Sequence, residues 1–223
     1  MDYKNISEKN INEHIDNIIN IAESIELNKV TILTGGNGCG KSVVRKLLTS
    51  IIKEKVKAIY NEEINTPLVA SVSMETRTAS RPDFYALSSM MHDLPWTATS
   101  VNTIGLIRDL FKSLLNKSSE KIKDKRFIVL DEIEIGLSEE VLLGLCNYLN
   151  DAFDKTKDKT LGVLVITHNR DVAERLNHDK FLNLEGLTKG EWLNREIRPV
   201  SLDDLDEWSA ALYSGIRKRE KKK

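Results

Sequence analysis

One short stretch, from Gly35 to Ser42, constrains the fold of this chain of 223 residues more than any other. Its sequence is Gly35-Gly36-Asn37-Gly38-Cys39-Gly40-Lys41-Ser42. These residues fit the pattern G-x-x-x-x-G-K-[ST] at every fixed position. Glycines in such a loop let backbone N–H groups turn toward an anion where a Cβ atom would clash. A β-branched run, Val30 to Thr34, precedes the loop and an amphipathic stretch, Ser42 to Lys53, follows it, so the context predicts a strand, a phosphate-binding loop and a helix.

The residue types in this loop match the chemistry of a nucleoside triphosphate, and we interpret the ligand as ATP. Lys41 is the mobile cation that reaches the terminal phosphates, and the Ser42 hydroxyl is a ligand for Mg²⁺. The helix that follows points its positive N-terminal end at the same anion. The predicted nucleotide-binding residues are Gly35, Gly36, Asn37, Gly38, Cys39, Gly40, Lys41, Ser42 and Val43.

The remaining hydrophobic pattern predicts an α/β fold. Strands are predicted at Val30–Thr34, Leu68–Ser73, Phe127–Leu130, Leu161–Thr167 and Lys180–Leu184. Helices are predicted at Ile11–Leu27, Ser42–Lys53, Thr103–Leu115, Val141–Phe153 and Arg170–Leu176. Because the strands are continuous apolar runs that alternate with helices, the pattern favours a mostly parallel sheet covered by helices on both faces.

Composition excludes several classes of protein. Hydrophobic residues make up 40% of the chain and charged residues 30%, which is ordinary for a globular domain. No apolar run approaches the roughly 20 residues of a membrane-spanning helix, and the polar N-terminus lacks the apolar core of a secretory signal. The two cysteines, Cys39 and Cys146, do not form a disulfide framework. We therefore expect a cytoplasmic protein that does not insert into a membrane.

The C-terminal end differs in charge from the rest of the chain. Residues Arg217 to Lys223 include six basic residues and one acidic residue, whereas the remainder has 27 basic and 33 acidic residues. Single-sign runs are usually solvated and disordered, which is one interpretation of this tail. The other is a tail that contacts phosphate groups on a nucleic acid or in a partner complex.

A second motif follows an apolar strand. Phe127 to Leu130 leads directly into Asp131 and Glu132. In a parallel sheet the ligand lies beyond the carboxyl ends of the strands, where the phosphate loop also lies. Asp131 is therefore a candidate Mg²⁺ ligand, often through water. Glu132 is the candidate general base that polarises an attacking water, and Glu134 is the next candidate.

The run from Leu130 to Ser138 resembles the Walker B and D-loop segment of the ABC-type ATPases. That superfamily includes transporter cassettes and the SMC and RecF-like chromosome proteins. Ile133 stands where transporters commonly have proline, which favours the non-transporter branch. Residues Val163 to Asn169 are similar to the switch strand of the family, and the resemblance implies that His168 senses the γ-phosphate. The resemblance covers about residues 30–184.

The family's signature motif is degenerate in this chain. The corresponding stretch is Thr97 to Thr103, which lacks the expected glycines. Within it, Ser100 and Asn102 are the candidates that would contact ATP bound to a partner copy. The alternative for Ser100 is a plain N-cap of the helix that contains Ile104. The Q-loop glutamine of the family is not evident in this chain. Glu75 is the nearest polar residue after the predicted strand Leu68–Ser73.

The resemblance implies a domain organisation and a function. We expect an N-terminal helical segment at 1–29, packed on the core, and an ATPase domain at 30–200. A small helical insertion at about 81–120 lies between Walker A and Walker B, and a C-terminal helix with a basic tail occupies 201–223. Tyr3 is poorly placed to stack on adenine, since a predicted helix separates it from the loop.

The function implied is a Mg²⁺-dependent ATPase that acts as an ATP-driven dimerisation switch. The homodimer would hold ATP between two copies, in a nucleic-acid-related or partner-protein complex. One alternative is a nucleotide-responsive regulatory or assembly module with little turnover, which the degenerate signature supports. Another is the cassette subunit of a membrane transporter, which the missing glutamine and signature glycines disfavour.

The phosphate loop generates a direct prediction. Lys41→Ala should abolish detectable ATP binding and hydrolysis, because it removes the loop cation that faces the β- and γ-phosphates. Equilibrium binding of a fluorescent ATP analogue and phosphate release measure the two effects. Unchanged turnover in this variant would contradict the assignment of the loop.

Overall fold

The computed structural model describes residues 6–61, 69–73, 99–116, 124–196 and 200–220. Several residues considered in the sequence analysis lie outside these ranges. They are Tyr3, Glu75, the first two residues of the signature stretch (Thr97 and Ala98), and residues 81–98 and 117–120 of the predicted insertion. The strands are β1 Val30–Thr34, β2 Val69–Val72, β3 Arg126–Asp131, β4 Thr160–Ile166 and β5 Lys180–Asn183. The helices are α1 Glu8–Glu23, α2 Lys41–Tyr60, α3 Thr99–Leu115, α4 Glu139–Thr156, α5 Arg170–Arg175, α6 Lys189–Asn194 and α7 Leu202–Glu220, and a 3₁₀ turn at Lys157–Lys159 precedes β4.

The five described strands form one parallel sheet in the order β2-β3-β4-β1-β5. In the β1–β4 pair, Val30 lies opposite Val163 and Leu33 opposite Ile166. In the β3–β4 pair, Asp131 lies opposite Ile166. Because these pairs are parallel and in this register, the carboxyl ends of β1, β3 and β4 lie side by side at one edge of the sheet, with β4 in the middle.

Helices cover both faces of this sheet. Side chains alternate along a strand, so Ile32 and its neighbour Leu33 enter two different hydrophobic clusters. The cluster around Leu33 is built with buried residues of α1, α2 and α7. The cluster around Ile32 is built with buried residues of α3, α4, α5 and α6. The fold is therefore the mixed α/β, P-loop NTPase-like architecture, and the fold class predicted from the sequence is confirmed.

Helix α1 packs against α2 and α7. Its N-cap is Ser7, whose hydroxyl accepts a hydrogen bond from the Asn10 N–H at 3.2 Å. Its buried face consists of Ile11, Ile15, Ile18 and Ala22. The apolar spacing along the sequence had predicted this face, since the members recur at three- and four-residue intervals.

The basic C-terminal residues are ordered in part. Helix α7 runs to Glu220, so Arg217 to Arg219 belong to its last turn. The guanidinium group of Arg219 forms an ion pair with Asp16 of α1 and donates a hydrogen bond to the Asn12 carbonyl at 3.2 Å. The interpretation of the tail as a disordered end is therefore wrong for 217–220. The run of basic residues suggested disorder because the sequence pattern does not show that Asp16 of α1 pairs with Arg219.

A buried glycine in β4 generates the prediction for stability. Gly162 has a φ of 127°, and a Cβ atom added there would lie 2.9 Å from Phe127 Cε2 and 3.0 Å from the Lys29 carbonyl oxygen. Gly162→Ala should therefore lower the free energy of unfolding by about 1–3 kcal/mol, through backbone strain and a clash with a fixed neighbour. Urea unfolding followed by circular dichroism measures the change.

The matched control is Gly144→Ala. Gly144 lies in α4, and a Cβ atom added there meets no heavy atom within 4 Å. This substitution should raise the free energy of unfolding by about 0.5–1 kcal/mol, because alanine has the higher helix propensity. If the two variants changed stability in the same direction, the conformation of β4 at Gly162 would be incorrect.

Candidate nucleotide-binding site

The phosphate loop joins the carboxyl end of β1 to the first turn of α2. Its glycines at 35, 38 and 40 have φ values of 154°, 71° and 103°, in the region that favours glycine. A Cβ atom on Gly35 would lie 2.5 Å from the Cys39 sulfur. The loop therefore needs glycine for its shape as well as for access to an anion.

The Lys41 side chain folds back over the loop. Its Nζ donates hydrogen bonds to the carbonyl oxygens of Gly35 and Gly36, both at 3.0 Å, and the residue is only 8% exposed. Ser42, the next residue, is exposed at the start of α2. The Val43 side chain is buried in the core, while its N–H donates to the Gly40 carbonyl at 2.9 Å. Lys41 thus places a positive charge beside the loop backbone.

The loop lines a pocket of about 130 Å³. Its described lining consists of Asn37, Gly38, Cys39, Gly40, Lys41, Ser42, Glu132, Leu212 and Tyr213. Six of the nine predicted nucleotide-binding residues belong to this lining; Gly35, Gly36 and Val43 do not. The pocket brings together a loop after β1 and a carboxylate after β3, and it adds two residues of α7 that the sequence did not indicate.

Asp131 ends β3 and pairs with a cation on α2. Its Oδ2 lies 3.3 Å from an Arg45 guanidinium nitrogen, and the two side chains are 16% and 15% exposed. Burial raises the pKa of Asp131 to about 6, although the Arg45 charge acts in the opposite direction. Arg45 stands one helical turn after Ser42, and sequence reasoning missed it.

Glu132 and His168 meet at the same edge of the sheet. Glu132 Oε1 lies 3.2 Å from His168 Nδ1. The hydrogen bond with Glu132 raises the pKa of His168, against the effect of partial burial. Glu132 also has a φ of 51°, which is unusual for a residue with a side chain, and its N–H donates to the Ile166 carbonyl at 2.9 Å. Strained backbone of this kind is concentrated at functional sites.

Glu134 has a different environment from Glu132. Its side chain is 7% exposed, and Oε1 accepts a hydrogen bond from the Thr167 hydroxyl at 2.6 Å. The Thr167 hydroxyl in turn accepts a hydrogen bond from the Asn169 N–H at 3.0 Å. Glu134 thus connects the turn after β3 to the turn after β4, which carries His168.

A further carboxylate contacts the loop from the end of β5. Glu185 Oε1 accepts a hydrogen bond from the Gly36 N–H at 2.7 Å, and its side chain is 2% exposed. Burial alone raises the pKa of Glu185, but the Gly36 N–H and the paired Arg195 outweigh it, so the pKa lies below its ordinary value. The only sequence signal for Glu185 is its place just after the predicted strand Lys180–Leu184.

The signature candidates lie at the start of α3. This helix begins at Thr99, so Ser100 and Asn102 are inside its first turn. The interpretation of Ser100 as an N-cap is wrong, because the cap position precedes Thr99. The helix begins earlier than predicted since residues 99–102 lack the apolar spacing that marked the stretch from Thr103 onward. Contact of Ser100 or Asn102 with a second copy stays a prediction.

The described residues offer limited metal ligation of their own. No group of three or more His, Cys, Asp or Glu among them is arranged to hold a metal ion. Ser42 and Asp131 supply a hydroxyl and a carboxylate oxygen, the ligand types that suit Mg²⁺, which keeps several waters and binds substrate phosphates. Ser42 and Asp131 are therefore the residues that would hold a Mg²⁺ ion bound to a nucleotide.

Comparisons with known proteins find distant likenesses among solved structures. No family model matches this chain, and no curated protein matches it. Among solved structures, the Drosophila ORC bound to AT-rich DNA and Cdc6 matches with a TM-score of 0.31 and 13% identity, over 89% of this chain and 30% of that chain. The Drosophila ORC bound to poly(dA/dT) DNA and Cdc6 matches with a TM-score of 0.31 and 14% identity, over the same shares. The chain thus spans less than a third of the length of each of these two matched chains.

Within the described part of the chain, no helix is both long enough and apolar enough to cross a bilayer.

The burial of Cys39 inside the loop generates a testable consequence. Cys39 and Cys146 are 0% and 1% exposed, and burial raises the pKa of the Cys39 thiol to about 11. Since the thiolate is the reactive form, the Cys39 thiol should react with Ellman's reagent at pH 8 at least about a hundredfold more slowly than an exposed cysteine. The Cys146 thiol, whose pKa burial also raises, should react more slowly than an exposed cysteine as well. Absorbance at the reporter wavelength follows the reaction.

An introduced cysteine serves as the reference for this measurement. Leu202 is 77% exposed at the start of α7, so the thiol of Leu202→Cys should react at the rate of a free cysteine. If the Cys39 thiol reacted as fast as the introduced thiol, the packing of α1 and α7 over the loop would be incorrect, and a fast reaction of Cys146 would contradict its burial in the cluster around Ile32.

Proposed function

We propose that this chain binds ATP together with Mg²⁺ at the phosphate loop and hydrolyses the γ-phosphate. One observation carries the proposal: Lys41 and Glu132, which follow different strands, line the same pocket. A cation for the terminal phosphates and a carboxylate for the attacking water are the two groups that phosphoryl transfer to water needs in one place.

Each residue has a defined part in this proposal. Lys41 binds the terminal phosphates, and Ser42 and Asp131 hold Mg²⁺, which neutralises negative charge on the phosphates when it is bound. Glu132 accepts a proton from the attacking water while the oxygen of that water bonds to the γ-phosphorus and the bridging bond breaks. His168 orients the Glu132 carboxylate through the contact between Nδ1 and Oε1.

The finer proposal follows the resemblance to the ABC-type ATPases. In this more specific proposal, the chain is an ATP-driven dimerisation switch, in which Ser100 and Asn102 of one copy complete the site of the other. The D-loop-like turn supports it, because Gly136 has a φ of 80° and an added Cβ atom would meet nothing within 4 Å. An open turn beside the carboxylates leaves room for a second copy.

Partners and location belong to the same proposal. Arg217 and Lys218 are exposed on α7, so they offer charge to a nucleic acid or to an acidic partner protein. Arg219 contributes less to such a surface, since it is paired with Asp16. A cytoplasmic location, as expected from the sequence, stays a prediction.

The second candidate function is a nucleotide-responsive module with little turnover. The ion pair between Arg45 and Asp131 favours it, because a fixed cation already neutralises the predicted metal ligand. The missing signature glycines favour it as well. A phosphate-release assay at saturating Mg-ATP separates the two functions.

The role of Glu132 can be tested by a single substitution. Glu132→Gln should keep ATP binding but lower the hydrolysis rate at least about a hundredfold, since the amide keeps the shape of the side chain and removes the base. Glu139→Gln is the matched control, because Glu139 is an exposed residue of the first turn of α4. If Glu132→Gln hydrolysed ATP as fast as the control, Glu134 would become the candidate base.

The dimerisation switch requires its own experiment. The Glu132→Gln protein should form a dimer with Mg-ATP and return to a monomer without it, as measured by light scattering. Adding Ser100→Arg should block the dimer by its bulk at the start of α3 while ATP binding to the monomer is unchanged. If neither protein forms a dimer, or if both do, the contact at Ser100 is wrong.

A further inference from the structure

The structure points to helix α7 as the nucleoside side of the site, with the Tyr213 ring as the surface on which the base of the bound nucleotide stacks. This inference rests on the proposed function, because it needs the triphosphate in the phosphate loop. It assigns a ligand contact to the C-terminal segment, which lies far from the phosphate loop and from the carboxylate motif in the sequence.

Helix α7 packs directly on the glycines of the loop. A Cβ atom on Gly38 would lie 2.8 Å from Ser209 Oγ and 2.9 Å from Leu205 Cδ1, and a Cβ atom on Gly40 would lie 3.9 Å from Leu212 Cδ2. Contacts this short at Gly38 mean that loop and helix fit together only without a side chain there. The side chains of α7 therefore form a wall of the phosphate pocket.

Two anchors on α1 hold this wall in place. The Trp208 ring is 4% exposed and lies 5.5 Å from the His14 ring in an edge contact. His14 Nε2 in turn lies 2.8 Å from the Cys39 carbonyl oxygen of the loop. In the last turn of α7, Arg219 forms an ion pair with Asp16 of α1. The position of α7 relative to the loop is thus fixed on both sides of Tyr213.

The size of the pocket decides where the base must lie. Pockets that enclose a whole ligand of drug size have volumes of roughly 300–1,000 Å³. The phosphate pocket has about 130 Å³, which is too small to enclose a whole nucleotide. The base therefore lies outside the pocket, against its rim. On the α7 side that rim is formed by Leu212 and Tyr213.

Tyr213 has the properties of a stacking surface. It is the one aromatic residue in the described lining of the pocket, and it is 47% exposed. Together with Ala210, Ser214 and Arg217 it also lines an adjacent concavity on the outer side of α7. A ring with this exposure is accessible to a nucleotide base from solvent. A guanidinium one turn further on is suited to the flat face of the same base.

The test compares a ligand that has a base with one that lacks it. Tyr213→Ala should weaken ATP binding about fivefold to a hundredfold, which is the range for loss of one base–aromatic stack, and leave tripolyphosphate binding unchanged. Calorimetry measures ATP, and competition against a fluorescent ATP analogue measures tripolyphosphate. Tyr213→Trp should restore ATP affinity, and Leu202→Ala, at an exposed position of the same helix, should bind both ligands as the wild type does.

A spectroscopic measurement gives a second readout. Stacking on a ring quenches etheno-ATP fluorescence, so at saturating ligand the quenching should be lost in Tyr213→Ala and present in Tyr213→Trp. Equal weakening of ATP and tripolyphosphate, or unchanged ATP affinity with unchanged quenching, would overturn the inference. Neither result would affect the proposed function. That function fails instead if Lys41→Ala, measured in parallel, binds both ligands as tightly as the wild type.

Discussion

Side chains from distant parts of the chain contact the backbone of the phosphate loop, together with Lys41 from within the loop. Lys41 spans the loop from inside, to the carbonyls of Gly35 and Gly36. His14 of α1 contacts the Cys39 carbonyl, and Glu185 after β5 accepts the Gly36 N–H. A glycine-rich segment has a large conformational entropy to lose on ordering. Because these contacts already exist in the folded chain, the loop loses its conformational entropy during folding and not when a ligand binds. The loop is therefore preorganised for binding.

The parallel register of the sheet extends this order to the carboxylates. Asp131 of β3 lies opposite Ile166 of β4, and Ile166 lies opposite Leu33 of β1, so the ends of three strands are level. The turns that follow them are joined by hydrogen bonds across the strands, from Thr167 N–H to the Leu33 carbonyl and from the Thr167 hydroxyl to Glu134. Thus the loop, Glu132 and His168 depend on one edge of one sheet, and a shift of register in β4 would separate them.

Local patterns in the sequence predicted the elements, and tertiary contacts account for what they missed. The apolar runs of β1, β3 and β4 and the spacing in α1 and α2 report burial directly, so their existence was predictable. Arg45, Glu185, Leu212 and Tyr213 carry no motif, and their place at the site follows from how α2, β5 and α7 pack. The ordered state of Arg219 depends in the same way on Asp16, some 200 residues earlier in the chain. Within the candidate site, the phosphate loop and the carboxylate motif were predictable from the sequence. The pocket lining from α7 and the charged residues Arg45 and Glu185 were not.

Each of three carboxylates at the site lies beside a basic side chain. Asp131 pairs with Arg45, Glu132 with His168 and Glu185 with Arg195. Removing one partner of a buried pair costs about 3–5 kcal/mol, because the other charge is left uncompensated. A ligand that takes Asp131 away from Arg45 must therefore supply a cation to the carboxylate and an anion to the guanidinium at the same time. Mg²⁺ bound to a polyphosphate carries both charges, whereas free Mg²⁺ or a free nucleobase does not. If the proposed function holds, this pairing would therefore favour a metal–polyphosphate complex over either component alone.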